Sequence, residues 1–209
     1  MSEQRVIKIL SVDDHHLIRE GIATVIGSQS DMELIAHASS GMEALQLYRQ
    51  HRPDITLMDF RLPGLSGIDT TIQICAEFPD ARVIIFTTFD GDVEVQRALE
   101  AGARGYLLKS LPADELIKAI RDVDAGKKRV QMELAARMAE HMGEDRVTAR
   151  EIQVLECVAA GRHNREIGER LFISEETVKV HLKRIMSKLG ARDRTHAVTI
   201  ANRRGVVRL

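Results

Sequence analysis

The sequence predicts two folds in series: an α/β doubly wound, five-stranded parallel sheet, then a small all-α unit of four helices. Three observations carry this. Short apolar runs alternate with amphipathic helical stretches through the first 126 residues, the pattern of buried parallel strands and their crossovers. After Ala125-Gly126-Lys127-Lys128-Arg129 the strand signals stop. The charge also inverts: residues 1–126 carry 12 Lys and Arg against 20 Asp and Glu, net −8, whereas residues 127–209 carry 18 against 11, net +7. An acidic half joined to a basic half implies two domains, the second suited to a polyanion, either nucleic acid or a membrane surface.

The elements follow in order. Strand one is expected at residues 6–12, and its helix carries Leu17, Ile18, Gly21, Ile22, Val25 and Ile26 as one apolar stripe. A short strand at 33–38 leads to a helix from Gly41 toward His51, closed before Pro53. Strand three is 54–58, and Arg61-Leu62-Pro63-Gly64-Leu65-Ser66-Gly67 is turn chemistry ahead of a helix reaching Phe78-Pro79. Strand four is 82–87, a helix over 93–101 stops at Gly102, and strand five is 105–108. Pro112 is expected in the first turn of the last helix. Right-handed crossovers then place helices on both faces of the sheet.

A short helix is expected at 132–142, closed by Gly143-Glu144-Asp145. Thr148 and Glu151 form a capping box for the next helix, which Gly161 ends. Helices follow at 164–171, from the Ser174 cap to 189, and at 194–203. The middle pair, joined by the short turn Phe172-Ile173, has the spacing of a helix-turn-helix.

No apolar run is long enough to span a membrane, and the N-terminal residues lack the apolar stretch of a signal peptide. Cys75 and Cys157 are far apart and form no CxxC pair, as expected of free thiols in a reducing compartment. The expectation is a cytoplasmic protein with no membrane partner.

Asp13 and Asp14 follow strand one, Asp59 follows strand three, and Thr87 and Lys109 close strands four and five. Ligands of such sheets collect outside the carboxyl ends of the strands. Three carboxylates brought together there repel one another unless a cation neutralises them. Oxygen ligands with open water positions suit Mg²⁺, which binds through a few carboxylates plus a phosphate. Lys supplies a point charge for a phosphoryl oxygen, Thr a hydrogen bond, and an aspartate is a competent nucleophile toward phosphorus. A dinucleotide site would need G-x-G-x-x-G where Asp13-Asp14-His15-His16 stands. The two histidines have no cysteine neighbours and no i,i+4 histidine partner, so they read as rim residues rather than zinc ligands.

In the basic half, Val178, Leu182, Ile185 and Leu189 form a buried stripe, and Lys179, Lys183 and Arg184 project from another face. Such a helix can enter the major groove and read guanine edges or pair with phosphates. A lone basic helix is more often a solvated face; the preceding helix and tight turn favour DNA.

Val12-Asp13-Asp14-His15, the run from Leu57 to Gly67 through Asp59, Thr87 and Gly105-Tyr106-Leu107-Leu108-Lys109 resemble a bacterial response-regulator receiver domain, a flavodoxin-like fold, over about residues 5–126. The resemblance implies Asp59 as phosphoacceptor. Asp14, Asp59 and the backbone carbonyl of Arg61 would be direct Mg²⁺ ligands, with Asp13 acting through water and Mn²⁺ as a substitute. Thr87 and Lys109 would bind the phosphoryl group, and Tyr106 would change rotamer on activation. Many such receivers have Pro after the lysine, often with a cis peptide, where this chain has Ser110; this bears on the loop path rather than the chemistry. A phosphatase of the haloacid-dehalogenase type would need a second Asp two residues past the nucleophile, where Arg61 stands. Bulky and cationic, Arg61 is hypothesised to affect phosphoryl lifetime by occupying the approach of water.

The Thr148–Leu155 run, Gly161, Asn164-Arg165-Glu166-Ile167-Gly168, Ile173-Ser174, Thr177-Val178-Lys179-Val180-His181, Lys188-Leu189 and Arg194-Thr195 resemble the LuxR-type domain of NarL/FixJ response regulators, over about 145–209. The resemblance implies Lys179, Val180 and Lys183 as base contacts, with Thr177 and His181 nearer phosphates; Arg184 joins this DNA-facing set. It also implies a homodimer on double-stranded DNA through the last helix, with Arg194, Thr195 and Val198. Gly168 stands where Ala is usual, at an expected cost of about 1 kcal/mol in helix stability. The expected organisation is a receiver at 1–126, a linker with a short helix at 127–144 and a DNA-binding domain at 145–209. The expected function is transcription control, switched by phosphoryl transfer from a histidine kinase or small phosphodonor to Asp59. The only catalysis expected is on the protein's own aspartate. Two alternatives stand beside it: a DNA-binding regulator with a purely structural receiver, and an adaptor or enzyme whose basic domain binds protein.

Overall fold

The structure is a computed structural model that describes residues 5–132, 134–136 and 147–207. The chain forms two compact units. The first holds the residues up to Phe89 and resumes at Val95; the second holds Asp90–Glu94 and the chain from Leu134 onward.

In the first unit β1 (Ile7–Val12), β2 (Met32–Ala38), β3 (Ile55–Met58), β4 (Val83–Thr87) and β5 (Gly105–Leu108) form a parallel sheet. A sixth strand, β6 (Arg129–Val130), extends it, and the order is β2-β1-β3-β4-β5-β6. This last strand was not expected. Gly126, at φ +86°, turns the chain after the preceding helix, and Arg129 and Val130 then pair with Gly105 and Tyr106. The Gln131 side chain also accepts a hydrogen bond from the Leu108 N–H, at 3.2 Å. Two ladder residues carry too little periodicity to be read from sequence.

The crossovers are α1 (His16–Gly27), α2 (Gly41–His51), α3 (Gly67–Glu77), α4 (Asp92–Glu100) and α5 (Ala113–Asp124). Ile9, Ile55, Leu57, Ile84 and Phe86 join Ile22 and Ile26 of α1 and Leu116, Ile120 and Val123 of α5 in one core. Their strand neighbours Leu10, Met58 and Ile85 are equally buried and point to the opposite face, so the sheet is covered on both sides. Leu17 departs from the expected stripe at 84% exposed, while Ile22 and Ile26 of that stripe are buried as expected. Pro112 stands one residue earlier than expected, as the N-cap of α5 rather than inside its first turn.

Helical backbone is present at 132 and 134–136; the remainder of the helix expected at 132–142, with its Gly143-Glu144-Asp145 stop, lies outside the described residues. In the second unit α6 (Ala149–Ala159), α7 (Asn164–Leu171), α8 (Glu175–Leu189) and α9 (Arg194–Arg203) surround a core of Val154, Leu155, Ile167, Val178, Leu182 and Ile185. The Thr148–Glu151 capping box is formed. Glu151 is buried as well, and Lys188 of α8 reaches it at 2.9 Å. Burial works to raise the Glu151 pKa, but the Thr148 N–H and Lys188 outweigh it and hold the carboxyl below its ordinary value.

Candidate functional site

The strand order reverses beside β1: β2 lies on one side and β3 on the other, so the crossovers leave toward opposite faces. A crevice opens at the carboxyl ends of strands at such a switch point. Asp13 and Asp14 follow β1 there, and Asp59 follows β3. The ladder fixes their backbones, with Asp13 N–H on Ala38 O at 3.0 Å and Asp59 N–H on Val12 O at 2.8 Å. Lys109 N–H donates to Thr87 O at 2.7 Å, which brings the ends of β4 and β5 to the same edge. Gly67, which opens α3, packs against the Asp59 carbonyl. A Cβ there would lie 1.8 Å from that oxygen, so only glycine lets the helix start so close to the end of β3.

Asp13 is 1% and Asp59 5% exposed. Lys109 Nζ lies between them, donating to Asp59 Oδ2 at 2.9 Å and forming an ion pair with Asp13 Oδ2 at 2.6 Å. Burial pushes the Asp59 carboxyl above its ordinary value; Lys109 opposes this, Asp13 reinforces it, and the Thr87 hydroxyl contributes a lowering hydrogen bond. One lysine therefore pairs with two carboxylates that are out of water, and a third, Asp14, lies beside them. Asp14 is more open, and its Oδ1 lies 2.8 Å from His15 Nδ1. His15 is at the rim as expected, its imidazole also 3.4 Å from Asp13. One ligand atom from each of Asp13, Asp14, His15 and Asp59 fits within 4.8 Å, close enough to share a metal ion. The excess negative charge and the buried oxygen donors fit a divalent cation.

Tyr106 is fully buried, its hydroxyl donating to the Phe89 carbonyl at 2.9 Å. After Lys109, Leu111 N–H returns to Leu108 O at 3.0 Å, the path the chain takes with Ser110 in the turn. Sequence reasoning missed Phe89: its N–H donates to Thr87 Oγ1 at 3.4 Å, and its ring lies under Arg61. Its place two residues beyond Thr87 was the available signal.

In the second unit, α7, the turn and α8 form the helix-turn-helix. Ser174 caps α8, accepting from Thr177 N–H at 3.1 Å. Val178, Leu182, Ile185 and Leu189 are buried as expected, while Lys179, Val180, Lys183 and Arg184 are exposed together. Thr177 is occupied by the cap, its Oγ1 2.8 Å from Ser174 Oγ, and it is half-buried like His181. On α9, Thr195 is exposed, Arg194 donates to Arg162 O at 2.7 Å, and Val198 belongs to the domain core. Gly168 has a packing role beside its expected propensity cost. A Cβ there would come within 2.7 Å of Ile173 O, and Ile173 N–H bonds Gly168 O at 3.0 Å. The glycine admits the turn against α7, so its propensity cost is offset locally.

Residues 9–121 match the family described as response regulator receiver domain, and residues 145–201 the one described as bacterial regulatory proteins, luxR family. The transcriptional regulatory protein LiaR of Bacillus subtilis is 40% identical over 97% of this chain and 100% of its own length. The response regulator protein VraR of Staphylococcus aureus is 36% identical over 93% and 96%. Among solved structures, the response regulator ChrA of a heme-sensing two-component system aligns over 97% of this chain and 99% of its own, at 34% identity and TM-score 0.58. RcsB of Salmonella typhimurium, at 21% identity and TM-score 0.72, shares the fold. No helix among the described residues is long and apolar enough to cross a membrane. With a receiver domain joined to a LuxR-type DNA-binding domain, the chain belongs to the NarL/LuxR family of two-component response regulators and is a transcriptional regulator rather than an enzyme.

Proposed function

We propose that Asp59 is the phosphoacceptor of this receiver and that its phosphorylation controls DNA binding by the α8 face. The observation that carries the reading is Lys109 Nζ between the buried carboxylates of Asp13 and Asp59, at the switch point of the sheet. Asp14, Asp59 and the Arg61 carbonyl would hold Mg²⁺, with Asp13 acting through water and Mn²⁺ able to substitute. A cation bound there supplies neutralisation of the carboxylates and the incoming phosphoryl oxygens. The Asp59 carboxylate attacks phosphorus as the bond to the donor, a histidine-kinase imidazole or the carboxylate of a small acyl phosphate, breaks. Lys109 is already within ion-pair distance of Asp59, so it can follow a phosphoryl oxygen without leaving the pocket. Thr87 offers its hydroxyl to a second oxygen, and Tyr106 changes rotamer as Thr87 is drawn inward. These are positioning and charge effects, which dominate phosphoryl transfer.

On the output side Lys179, Val180 and Lys183 read base edges, while Thr177, His181 and Arg184 lie toward phosphates. Thr195, exposed on α9 beside the partly exposed Arg194, marks α9 as the helix through which two copies pair on DNA, whereas Val198 is taken up by the domain's own core and is withdrawn from the pairing set. The receiver ends beyond β6 rather than at 126, because Arg129 and Val130 complete its sheet, so the linker begins after about residue 130 and runs to 144; the protein works in the cytoplasm. Incubating the full chain with acetyl phosphate and Mg²⁺, followed by intact mass, tests the input. The wild-type protein gains one phosphoryl group, and Asp59→Asn gains none. Equal modification of both proteins, or of neither, rejects Asp59 as acceptor.

A further inference from the structure

Helix α1 carries a cation where its packing face calls for an apolar side chain. Arg19 stands three residues before Ile22 and seven before Ile26, the residues that α1 buries, so all three share one face of the helix. A half-buried guanidinium in such a place needs an acceptor. It finds one on the acidic turn: Arg19 Nη1 donates to the Asp13 carbonyl at 2.6 Å. Asp13 follows the last residue of β1, so that carbonyl opens the turn rather than belonging to the strand. The other polar atoms of Asp13 are committed elsewhere. Its N–H donates to Ala38 O at 3.0 Å, its Oδ1 accepts from the His15 N–H at 2.9 Å, and its Oδ2 pairs with Lys109 at 2.6 Å. The backbone N–H of Arg19 ties the helix to the same turn, donating to His15 O at 3.2 Å. The Arg19 charge also reaches α2. There the Ser39 N–H and hydroxyl hold the Glu43 carboxyl below its ordinary value, and Arg19 adds to that lowering.

We propose that Arg19 is a positioning residue for the cation site: by holding the Asp13 carbonyl it fixes the peptide plane that leads into Asp14, and so aims the Asp14 carboxylate at the ion. The proposal rests on the reading of this pocket as the Mg²⁺ site. The Asp13 carbonyl and the Asp14 N–H belong to one rigid planar unit. Turning that plane swings the Asp14 side chain relative to Asp59. The Asp13 carboxylate is buried and held at both oxygens, so it keeps its place without help from Arg19. Asp14 is exposed, and the imidazole it meets, that of His15, is exposed as well. Its aim is therefore set by its backbone, and the backbone is set by Arg19. Arg19 acts through Asp13 and Asp14 rather than on the ion or the phosphoryl group. A ligand set that loses such a support loses affinity for the metal while keeping its chemistry.

The experiment titrates Mg²⁺ into the full chain by isothermal calorimetry and follows phosphoryl uptake from acetyl phosphate by intact mass. Arg19→Met keeps an unbranched apolar stem and removes the donors. Its Mg²⁺ dissociation constant rises about tenfold, the lower end for loss of a group that orients a metal ligand. Its phosphoryl uptake slows at limiting Mg²⁺ and returns to the wild-type rate at saturating Mg²⁺. Arg19→Lys, which retains a single ammonium donor, falls between the two. Arg49→Ala serves as the structural control: it breaks the pair with Glu77 between α2 and α3, at 2.7 Å, and leaves Mg²⁺ affinity unchanged. A wild-type Mg²⁺ affinity in Arg19→Met overturns the proposal. So does an uptake defect that saturating Mg²⁺ does not repair, or an equal loss of affinity in Arg49→Ala. If Arg19→Met does not fold, Arg19→Lys decides: a raised dissociation constant supports the proposal and an unchanged one overturns it. If the wild-type chain binds no Mg²⁺, the cation site itself falls, an outcome distinct from normal wild-type binding with an unaltered variant.

Discussion

Lys109 ties the receiver pocket together, and Asp59 is the residue that strains it. A carboxyl whose folded pKa lies above its ordinary value binds protons more tightly in the native than in the unfolded state. Stability therefore falls as pH rises through that window, and at neutral pH the Asp59 charge opposes folding. Asparagine keeps the shape of the protonated carboxyl without its charge. In metal-free buffer at pH 7, Asp59→Asn is expected to raise the receiver's Tm by a few degrees, on a scale of about 4 °C per kcal/mol at this size. Millimolar Mg²⁺ is expected to raise the wild-type Tm and leave the variant nearly unmoved, since only the wild type offers the full carboxylate set. Thermal unfolding by circular dichroism, with chelator and then with Mg²⁺, reads both; a lower Tm for the variant in chelator would contradict the sign. The residue types and their places at strand ends were legible in the sequence. The Lys109 bridge and the stacking of Arg61 on Phe89 were not, because both join residues on loops whose approach depends on strand order.

Among the elements, the helix-turn-helix shows how local rules and packing divide the work. The α6 capping box and the Ser174 cap of α8 follow from spacing alone and are formed as expected. The turn between them does not. Phe172 adopts φ +55°, a left-handed conformation unfavourable for an L-residue with a Cβ, and is 95% exposed. Nothing in its burial offsets that cost. Phe172→Gly is expected to stabilise the C-terminal domain by roughly 0.5–1 kcal/mol, the conformational gain outweighing the greater unfolded-state entropy of glycine. Urea unfolding followed by helical circular dichroism checks it, and a fall in the denaturation midpoint would show that the ring makes a stabilising contact. Gly168 works in the opposite sense: Gly168→Ala improves helix propensity yet presses a methyl on the Ile173 carbonyl. Helix propensity could be read from the sequence; the closeness of that carbonyl could not.

For the whole molecule the division of charge is the governing quantity. The N-terminal 126 residues carry net −8 and the remainder net +7, so the second domain meets DNA as a cation despite a total of −1. Phosphate contacts release counterions and give binding a steep salt dependence. Duplex binding by the full chain is expected to weaken log-linearly with salt, and Arg184→Ala to reduce the slope by about 1, as for one lost phosphate contact. Lys183→Ala is expected to cost about 1–3 kcal/mol and to relax base preference at one position of each half-site. Fluorescence anisotropy across a salt series, on specific and random duplexes, separates the two. Equal losses on both duplexes would move Lys183 from base reading to phosphate contact.

By itself the sequence determined the two fold classes, the order of the elements, the acidic residues at strand ends and the basic helix behind a tight turn. Each follows from periodicity, capping chemistry or charge within a few residues. The tertiary structure decided what depends on separated strands and helices meeting: the sixth strand, the exposure of Leu17, the Lys109 bridge and the Phe89 platform for Arg61. It also showed that Gly168 lies against the Ile173 carbonyl of the turn. Local preferences are written along the chain, whereas a contact between β3 and β4 loops exists only once the sheet has ordered its strands.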